Sequence, residues 1–401
     1  MGKGPLAGMK VVEFAGIGPG PMCGMLLADL GAEVLRLDRL VASGLGIERA
    51  PQFDLLNRGK RTVSLDLKAA EGIAFARRVV AASDALIEGF RPGTMERLGL
   101  GPDVCRAGHR KLVYGRVTGF GQKGPLAQAA GHDLNYIALS GALHAIGREG
   151  AAPTPPLNLV GDFGGGGLLL AYGMLAALWR VQRGGEGQVV DAAMVDGAAM
   201  LMTSMFGLFG AGAHMAERGT NLLDSGAPHY EVYRCADGAY VSVAPIEVKF
   251  RTVLFERLGL PGNTMDFDNA SSWRENKARL AAIFATRPRA QWCELLEGSD
   301  ACFAPVLAPQ EAHLHPHNRE RDIFVEIGGV RQPAPAPRFE GTPAALPRPP
   351  HSDDAAAFEQ LRRWGIDGTE IEALHAGGWL RAGAPPRAGA AASAQSPRRP
   401  A

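Results

Sequence analysis

The stretch MKVVEFAGIGPGPMCGMLLADLGAEVLRLD, residues 9–38, decides the fold class of this 401-residue chain. Met9–Gly16 is a short, valine-rich apolar run ending in glycine, as is typical of a buried strand. Pro21–Leu30 repeats its apolar side chains at helical spacing, and Gly31–Asp38 reads as a second strand. Strand, helix and strand at this spacing predict a βαβ unit with parallel strands.

The pattern continues through the next part of the chain. Further strands are predicted at Thr62–Leu67, Ala85–Phe90 and Leu112–Phe120, and a helix is predicted at Ala69–Ala81. We therefore expect an α/β fold: an open parallel sheet with helices on both faces.

A long apolar region follows, from Gly161 to about Ala216, and its composition predicts helices. Two stretches within it, Phe163–Trp179 and Gly197–Ala216, contain no Asp, Glu, Lys or Arg. Because glycines interrupt both stretches, we expect buried helices rather than membrane spans.

The composition changes near residue 220, where a smaller α+β domain is expected. The segment APHYEVYRCADGAYVSVAP predicts two strands joined by a turn at Asp237–Gly238. Amphipathic helices are predicted at Val248–Leu258, Ala278–Ala285 and Arg289–Leu296, a proline-rich extended segment at Ala334–Pro350, and further helix at Phe358–Leu380. The expected division is a large domain over 1–224, a small domain over 225–320, a return segment over 321–380 and a disordered tail over 381–401.

Composition excludes several classes of protein. Lys and Arg number 42 against 41 Asp and Glu, which argues against an acidic disordered chain and against a broad nucleic-acid surface. The five cysteines include no C-x-x-C pair, so a disulfide framework or a cysteine zinc site is not expected. A cytoplasmic location fits best.

The glycines after the first strand resemble part of a dinucleotide fingerprint. Gly16 and Gly18 follow the strand, and Asp38 lies 22 residues after Gly16. The fingerprint needs a third glycine where Pro21 stands, so tight turns and close helix packing explain these glycines better than a nicotinamide or flavin site.

Basic residues cluster around the predicted strand ends. They are Arg36, Arg39, Arg58, Lys60, Arg61, Lys68, Arg91 and Arg97. Ligands of open α/β sheets bind outside the carboxyl ends of the strands, where guanidinium groups hold phosphates. Two interpretations remain open here: an anionic ligand, or a solvated surface balanced by Asp38, Asp66 and Glu96.

Two short motifs point to chemistry. His132 lies in AGHDLNY before a helical run, and Asp162 lies in NLVGDFGGGG before the long apolar helix. Consecutive glycines destabilise a helix start, so they indicate a close backbone approach. Asp162 would sit at the helix N-terminus, whose free N–H groups could stabilise an anionic oxygen. The alternatives are a capping aspartate and a structural histidine.

Several blocks together resemble the α-methylacyl-CoA racemases, within the larger group that contains the family III CoA transferases. They are VVEFAGIGPGPMCGMLLADLGAEVLRLDR, NRGKRTVSLDLK, LIEGFRPGTMERLGLGP, GFGQKGPLAQAAGHDLNY, PPLNLVGDFGGGG, GQVVDAAMVDG and APHYEVYRCADGAYVSVAPIEVKF. The resemblance spans about residues 5–380. It implies a Rossmann-like large domain completed by the return segment, a small domain, and an interlocked homodimer.

The resemblance also implies residue roles. His132 and Asp162 would be the two bases that interconvert (2R)- and (2S)-2-methylacyl-CoA thioesters, with Glu247 of PIEVKF assisting the histidine. Coenzyme A would be part of the substrate, with no metal or other cofactor and with no nucleic-acid or membrane partner. The implied CoA and substrate contacts are Arg39, Leu65, Asp66, Leu67, Lys68, Gly89, Phe90, Arg91, Arg97, Gly131, Asp133, Leu134, Asn135 and Tyr136.

Other activities remain as alternatives. In a CoA transferase of this group, the aspartate matching Asp162 forms an acyl anhydride with the substrate. Transferases of the group usually carry an aromatic residue where His132 stands, and transfer needs no second base, so this histidine favours racemisation. A catalytically silent CoA-binding protein is a further alternative.

Overall fold

The computed structural model describes residues 4–260 and 265–385 of the chain. The chain divides into two compact units. The large unit takes in the described parts of Met1–Ile137, Asn158–Leu201 and Asp322–Ala401, and the small unit takes in those of Ala138–Leu157 and Met202–Arg321. The chain therefore leaves the large unit twice and returns to it twice.

The strands and helices within the described residues are as follows. The strands are β1 (Lys10–Phe14), β2 (Glu33–Asp38), β3 (Arg61–Leu65), β4 (Ala85–Glu88), β5 (Val113–Thr118), β6 (Val189–Ala193), β7 (Glu231–Arg234), β8 (Tyr240–Val243), β9 (Phe303–Val306), β10 (Phe324–Ile327), β11 (Val330–Pro333) and β12 (Leu380–Ala382). The α-helices are α1 (Pro19–Asp29), α2 (Ala70–Ala81), α3 (Thr94–Arg97), α4 (Pro102–Ala107), α5 (Asp133–Leu139), α6 (Ala142–Ala145), α7 (Leu169–Gln182), α8 (Met194–Leu201), α9 (Thr203–Gly210), α10 (Val248–Arg257), α11 (Trp273–Phe284), α12 (Arg289–Leu296), α13 (Pro316–Glu320), α14 (Ala357–Arg363) and α15 (Gly368–Ala376). A π-helix, Leu159–Leu168, runs directly into α7 and is called the π segment below.

A seven-stranded sheet forms the centre of the large unit, in the order β12-β3-β2-β1-β4-β5-β6. Its strands are parallel except β12, which pairs antiparallel with β3. Six strands in the order 3-2-1-4-5-6 are the Rossmann arrangement, in which the direction of winding reverses between β1 and β4. The predicted α/β class and parallel sheet are confirmed.

Two apolar clusters cover the two faces of this sheet. One contains Leu35, Val63 and Phe75, together with Leu361 and Ile371 from the C-terminal part of the chain. The other cluster contains residues of α1 and α7, such as Leu27, Leu170 and Met174. Because side chains alternate along a strand, a sheet covered on both faces needs nearly continuous apolar strands. This is why β1 and β2 are easy to recognise in the sequence.

The small unit contains a three-stranded antiparallel sheet, β7-β8-β9. The predicted hairpin between β7 and β8 is confirmed, with Glu231 opposite Val243 and Arg234 opposite Tyr240. Gly238 has a φ of 82°, which the tight turn requires and glycine adopts without strain. Helices α10, α11 and α12 cover this sheet through the core residues Leu254, Leu280, Phe284, Trp292 and Leu296.

The apolar region from Gly161 to Ala216 departs from the sequence prediction in two ways. It contains a strand, β6, which was not expected because only Ala192 and Ala193 of its residues are buried. The expectation of buried helices holds only in part: α7 and α8 each have buried residues, but α9 has none and Trp179 of α7 is 64% exposed. One helical span of the described residues, Leu159–Gln182, is long and apolar enough to cross a membrane by length and composition alone.

The unit boundaries also differ from the expected division. The chain passes into the small unit at Met202, and Ala138–Leu157 belongs to that unit as well, whereas the change in composition lies near residue 220. The change in composition near residue 220 reflects the strands of the β7–β8 hairpin. These strands begin later in the chain than Met202, where the chain enters the small unit. At the other end, Arg381 and Ala382 pair with β3 instead of belonging to a disordered tail. Residues 386–401 of the expected tail lie outside the described residues.

Candidate active site

Three of the predicted site residues of the large unit, together with Gly18, follow the carboxyl ends of its parallel strands. Gly18 follows β1, Arg39 follows β2, Lys68 follows β3, and Arg91 follows β4. Since β1 to β5 are parallel, these ends lie along one edge of the sheet. In such sheets the crevice at the reversal of strand order, here between β1 and β4, binds ligands.

Asp162 lies in the first turn of the π segment and is half-buried. The side-chain amide of Asn158 donates a hydrogen bond to its Oδ2, at 3.3 Å. Burial raises the pKa of Asp162, the bond from Asn158 lowers it, the charge of Asp133 raises it, and His132 lowers it. The net effect is a raised pKa, which suits a carboxyl group that must be protonated in part of a catalytic cycle.

His132 lies in the turn that leads into α5, and it is exposed. Its backbone N–H donates to Asn135 Oδ1 at 3.1 Å, and the backbone N–H of Asn135 donates to the His132 carbonyl at 2.8 Å. Within the part of the chain that the structure describes, no hydrogen bond engages the imidazole ring.

The glycines beside Asp162 pack against neighbouring helices. A Cβ on Gly165 would stand 2.7 Å from the backbone nitrogen of Ala198 in α8, and one on Gly167 would stand 2.8 Å from Met22 in α1. The close backbone approach predicted from this run is thus an approach to α1 and α8. The backbone N–H of Asp162 is not free for an anionic oxygen, because it donates to Asp133 Oδ1 at 2.6 Å.

The basic residues around the strand ends fall into two sets. Four are used inside the large unit, in the pairs Arg36–Asp38, Arg58–Asp29, Lys60–Glu13 and Arg61–Asp353. The other four are exposed and, within 4–260 and 265–385, form no salt bridge: Arg39, Lys68, Arg91 and Arg97. This second set coincides with the cations that the family resemblance assigns to CoA.

The segment that carries Gly89, Phe90, Arg91 and Arg97 is held by an ionic cluster in which Arg116 and Glu88 are buried and Glu96 is exposed. Arg116 Nε donates to Glu88 Oε1 at 2.6 Å, and its other nitrogens donate to both carboxylate oxygens of Glu96 at 2.8 and 3.2 Å. Glu88 Oε2 in turn accepts the backbone N–H of Phe90 at 2.8 Å. The cluster fixes both ends of the segment. No local sequence pattern indicates the role of Arg116, because its partners lie on other elements.

The remaining predicted contacts differ in accessibility. Leu65, Asp133 and Tyr136 are buried; Asp66, Leu67, Phe90 and Gly131 are half-buried; Gly89, Leu134 and Asn135 are exposed. The Leu65 side chain belongs to the apolar core, which leaves only its backbone for a ligand. Tyr136 packs edge-on against Phe120, with ring centroids 5.0 Å apart, and its hydroxyl donates to the Gly131 carbonyl.

Glu247 belongs to the small unit, where it precedes α10 and is exposed. Its backbone carbonyl accepts the N–H groups of Phe250 and Arg251, and its side chain makes no capping hydrogen bond to the helix. As for metal sites, the described residues contain no group of three or more His, Cys, Asp or Glu that could hold an ion.

Two further residues beside Asp162 were missed from the sequence. Asn158 stands four positions before Asp162, a spacing that places side chains together on a helix and could have indicated the contact. Gly18 lies so close to the Asp162 carboxylate that an added Cβ would stand 3.1 Å from Oδ2. No local signal indicates this second contact, because β1 and the π segment are far apart in sequence.

Comparison with known proteins places this site in a family. The chain matches the family described as CoA-transferase family III over residues 6–354. It is 45% identical to the alpha-methylacyl-CoA racemase of Mus musculus over 374 residues, covering 92% of this chain and 96% of the mouse protein. Identity to the alpha-methylacyl-CoA racemase of Homo sapiens is 43% over 378 residues, with 92% and 96% covered.

More distant relatives include transferases. The chain is 30% identical to the succinyl-CoA–D-citramalate CoA-transferase of Chloroflexus aurantiacus over 364 residues, covering 85% of this chain and 89% of that protein. The crystal structure of a CAIB/BAIF family protein from Brucella suis superposes with a TM-score of 0.75 at 26% identity, covering 91% of this chain and 100% of that one. The resemblance indicated by the sequence motifs is confirmed.

Proposed function

The chain belongs to CoA-transferase family III, and within that family we propose that it is an α-methylacyl-CoA racemase. It interconverts (2R)- and (2S)-2-methylacyl-CoA thioesters by proton transfer at C2. The observation that carries the proposal is the pair His132 and Asp162. One is an exposed imidazole without a ring partner among the described residues, and the other is a half-buried carboxyl group with a raised pKa.

Racemisation requires two bases on opposite faces of a planar intermediate. The deprotonated member of the pair removes the C2 proton, and the electrons of the C–H bond move into the thioester to form an enolate. The protonated member then donates its proton to C2 on the other face, which inverts the centre. Afterwards the two residues have exchanged protonation states, so the reverse reaction starts from the opposite arrangement.

The exposed cations hold the CoA part of the substrate in this proposal. Arg39, Lys68, Arg91 and Arg97 are available for phosphates, whereas the internally paired basic residues are not. Guanidinium groups bind phosphate through two parallel hydrogen bonds, which fixes orientation as well as position. Contacts to the distant CoA part position C2 between the bases. No cofactor besides the CoA of the substrate enters the reaction.

We propose an interlocked homodimer in which Glu247 of the partner subunit hydrogen-bonds to His132 and favours its protonated form. Exposed apolar side chains support an assembly: on α7, α8 and α9 they are Tyr172, Trp179, Met200, Leu201 and Phe206. Large apolar groups exposed on consecutive elements mark an interaction surface.

We also propose a cytoplasmic location. It is supported by the five cysteines, all of which are free thiols, as is usual in a reducing compartment.

The proposal is tested with (2R)-2-methylacyl-CoA and catalytic enzyme in heavy water. Proton NMR follows the C2 hydrogen and chiral analysis follows the product. Loss of the C2 signal together with formation of the (2S) epimer is expected. Absence of exchange, with CoA passing to an added free carboxylate, would instead make Asp162 a nucleophile and the protein a transferase.

A further inference from the structure

Asp133 lies next to His132 in the chain and contacts Asp162 directly. It is the first residue of α5 and is only 6% exposed. Its Oδ1 accepts the backbone N–H of Asp162 at 2.6 Å. The contact depends on the absence of a side chain at Gly161, because a Cβ there would stand 2.6 Å from the same oxygen. The two predicted bases are therefore tied together through one buried carboxylate.

The second oxygen of Asp133 is unusual. Asp133 Oδ2 is buried and, in the described part of the chain, has no hydrogen-bond partner. Buried carboxylate oxygens are normally satisfied, so an exception requires an explanation. A residue needed only to hold a backbone N–H could be an asparagine, which would leave no charge beside Asp162.

We propose that Asp133 is a positioning residue for the proton transfer: its Oδ1 fixes the backbone of Asp162, and its charge favours the protonated form of the Asp162 carboxyl group. This assignment concerns the side chain of Asp133, whereas the family resemblance implies only that Asp133 contacts CoA or the substrate. It rests on the proposed racemase function, since a transferase needs an ionised Asp162.

Other charges near the π segment do not replace this effect. The elements packed against it carry Asp29, Arg116, Arg180, Asp191 and Asp196. Asp29 and Arg116 are held in their own ion pairs. The charges that act on Asp162 are those of Asp133 and His132, in opposite directions. Tyr136 adds no charge at neutral pH, since an ordinary phenol is neutral there and burial, with the charges of Asp162 and Asp133, raises its pKa further, to about 12.

The charge matters because the resting enzyme has two forms with the same number of protons. One has a protonated His132 and an ionised Asp162, and the other has a neutral His132 and a protonated Asp162. An ordinary aspartate has a pKa of about 3.9 and would leave the second form scarce. A neighbouring anion raises the population of the form with a neutral His132 and a protonated Asp162. Each epimer can then bind to a form of the enzyme that is able to remove its C2 proton.

The test compares Asp133→Asn, which keeps the acceptor oxygen and removes the charge, with Asp133→Ala, which removes both. For Asp133→Asn we expect the acid limb of the kcat/KM profile to move about one unit to lower pH. For Asp133→Ala we expect kcat to fall about 100-fold, because the Asp162 backbone is released. KM should stay within about twofold for both variants, as neither loses a CoA contact.

The matched control is Asp103→Asn, which removes an exposed acid from the first turn of α4 and should leave the profile unchanged. An unmoved acid limb in Asp133→Asn would overturn the proposal. A raised KM with unchanged kcat in Asp133→Asn would also overturn the proposal, because it would indicate that the Asp133 side chain binds the substrate. If wild type shows no exchange at C2, the racemase function itself has failed, and this outcome is distinct from both.

A second measurement covers variants that do not fold. In wild-type protein labelled with carboxyl-¹³C aspartate, the Asp162 signal is identified by its loss in Asp162→Asn and followed with pH. Titration above the ordinary aspartate range is expected. Titration at or below it would contradict the proposal without any variant of Asp133.

Discussion

Gly18 lies against the carboxylate of Asp162: a Cβ on Gly18 would stand 3.1 Å from Asp162 Oδ2. The loop after β1 thus forms one wall around the carboxyl group, and a glycine is needed there for two reasons. Its φ is 67°, which side chains rarely adopt, and any side chain would push the carboxylate out of place.

We predict that Gly18→Ala lowers kcat about 10- to 100-fold, since a displacement near 1 Å at the reacting groups has effects of this size. Steady-state kinetics with the acyl-CoA substrate measures it. Gly8→Ala is the matched control, because Gly8 has a φ of 88° and no atom within 4 Å of an added Cβ. Both variants should lose about 1–2 kcal/mol of stability from the left-handed backbone. An equal loss of kcat in both would mean that the contact with Asp162 is irrelevant.

Arg91 is expected to bind a phosphate of CoA. Arg91→Ala should raise KM about 10- to 100-fold and change kcat much less, because a hydrogen bond to a charged group contributes about 1.5–3 kcal/mol. Arg110→Ala serves as control, since Arg110 is exposed and precedes β5, at the amino-terminal edge of the sheet. An unchanged KM in Arg91→Ala would remove this residue from CoA binding.

Arg116 links the carboxyl ends of β4 and β5 through Glu88 and Glu96. Removing one partner of a buried ion pair leaves an uncompensated charge, so Arg116→Met should lower the free energy of unfolding by about 3–5 kcal/mol. Because the loop with Arg91 and Arg97 is released, KM should rise as well. Urea unfolding and kinetics measure both effects. Arg110→Met, which breaks the exposed pair with Glu186, should lower stability by less than about 1 kcal/mol; equal losses would contradict the structural role.

Asp162 should reduce stability at neutral pH. Its pKa is raised in the folded protein, mainly by burial, so folding disfavours the ionised form. The penalty is present above the folded-state pKa and disappears below the unfolded value of about 3.9. We therefore predict that Asp162→Asn is more stable than wild type at pH 7 and that the difference shrinks as the pH falls.

The opposite sign is expected for Asp367, the N-cap of α15. Hydrogen bonds from the backbone and side chain of Thr369 lower its pKa, so its ionised form stabilises the fold above the unfolded pKa. Asp367→Asn should therefore be less stable than wild type at pH 7. Thermal unfolding at several pH values compares the two variants. A loss of stability at pH 7 in Asp162→Asn would contradict the raised pKa of Asp162, and a gain in Asp367→Asn would contradict the lowered pKa of Asp367.

The sequence predicts well those strands and helices whose buried positions produce a recognisable pattern of apolar residues. Strands such as β1, covered on both faces, are continuous apolar runs that stand out. β6 does not, because three of its five residues are not buried, and β12 is a three-residue edge strand. Their positions depend on pairing with distant strands, which no local pattern encodes.

The candidate site shows the same division. Local motifs indicated His132 and Asp162, and the family resemblance assigned the exposed arginines. The residues that hold them in place were missed: Gly18 and Arg116 act through contacts made across the sheet. Asp133 was included only as a CoA or substrate contact. Its hydrogen bond to Asp162 follows only from the fold of the π segment.

The central claim is that His132 and Asp162 act on opposite faces of C2. The direct test measures deuterium uptake at C2 in heavy water for each epimer separately, with His132→Ala and with Asp162→Asn. We expect that neither variant epimerises the substrate, that each still exchanges the C2 proton of one epimer, and that the two variants select opposite epimers. Exchange of the same epimer by both variants, or epimerisation by either one, would contradict the two-base mechanism.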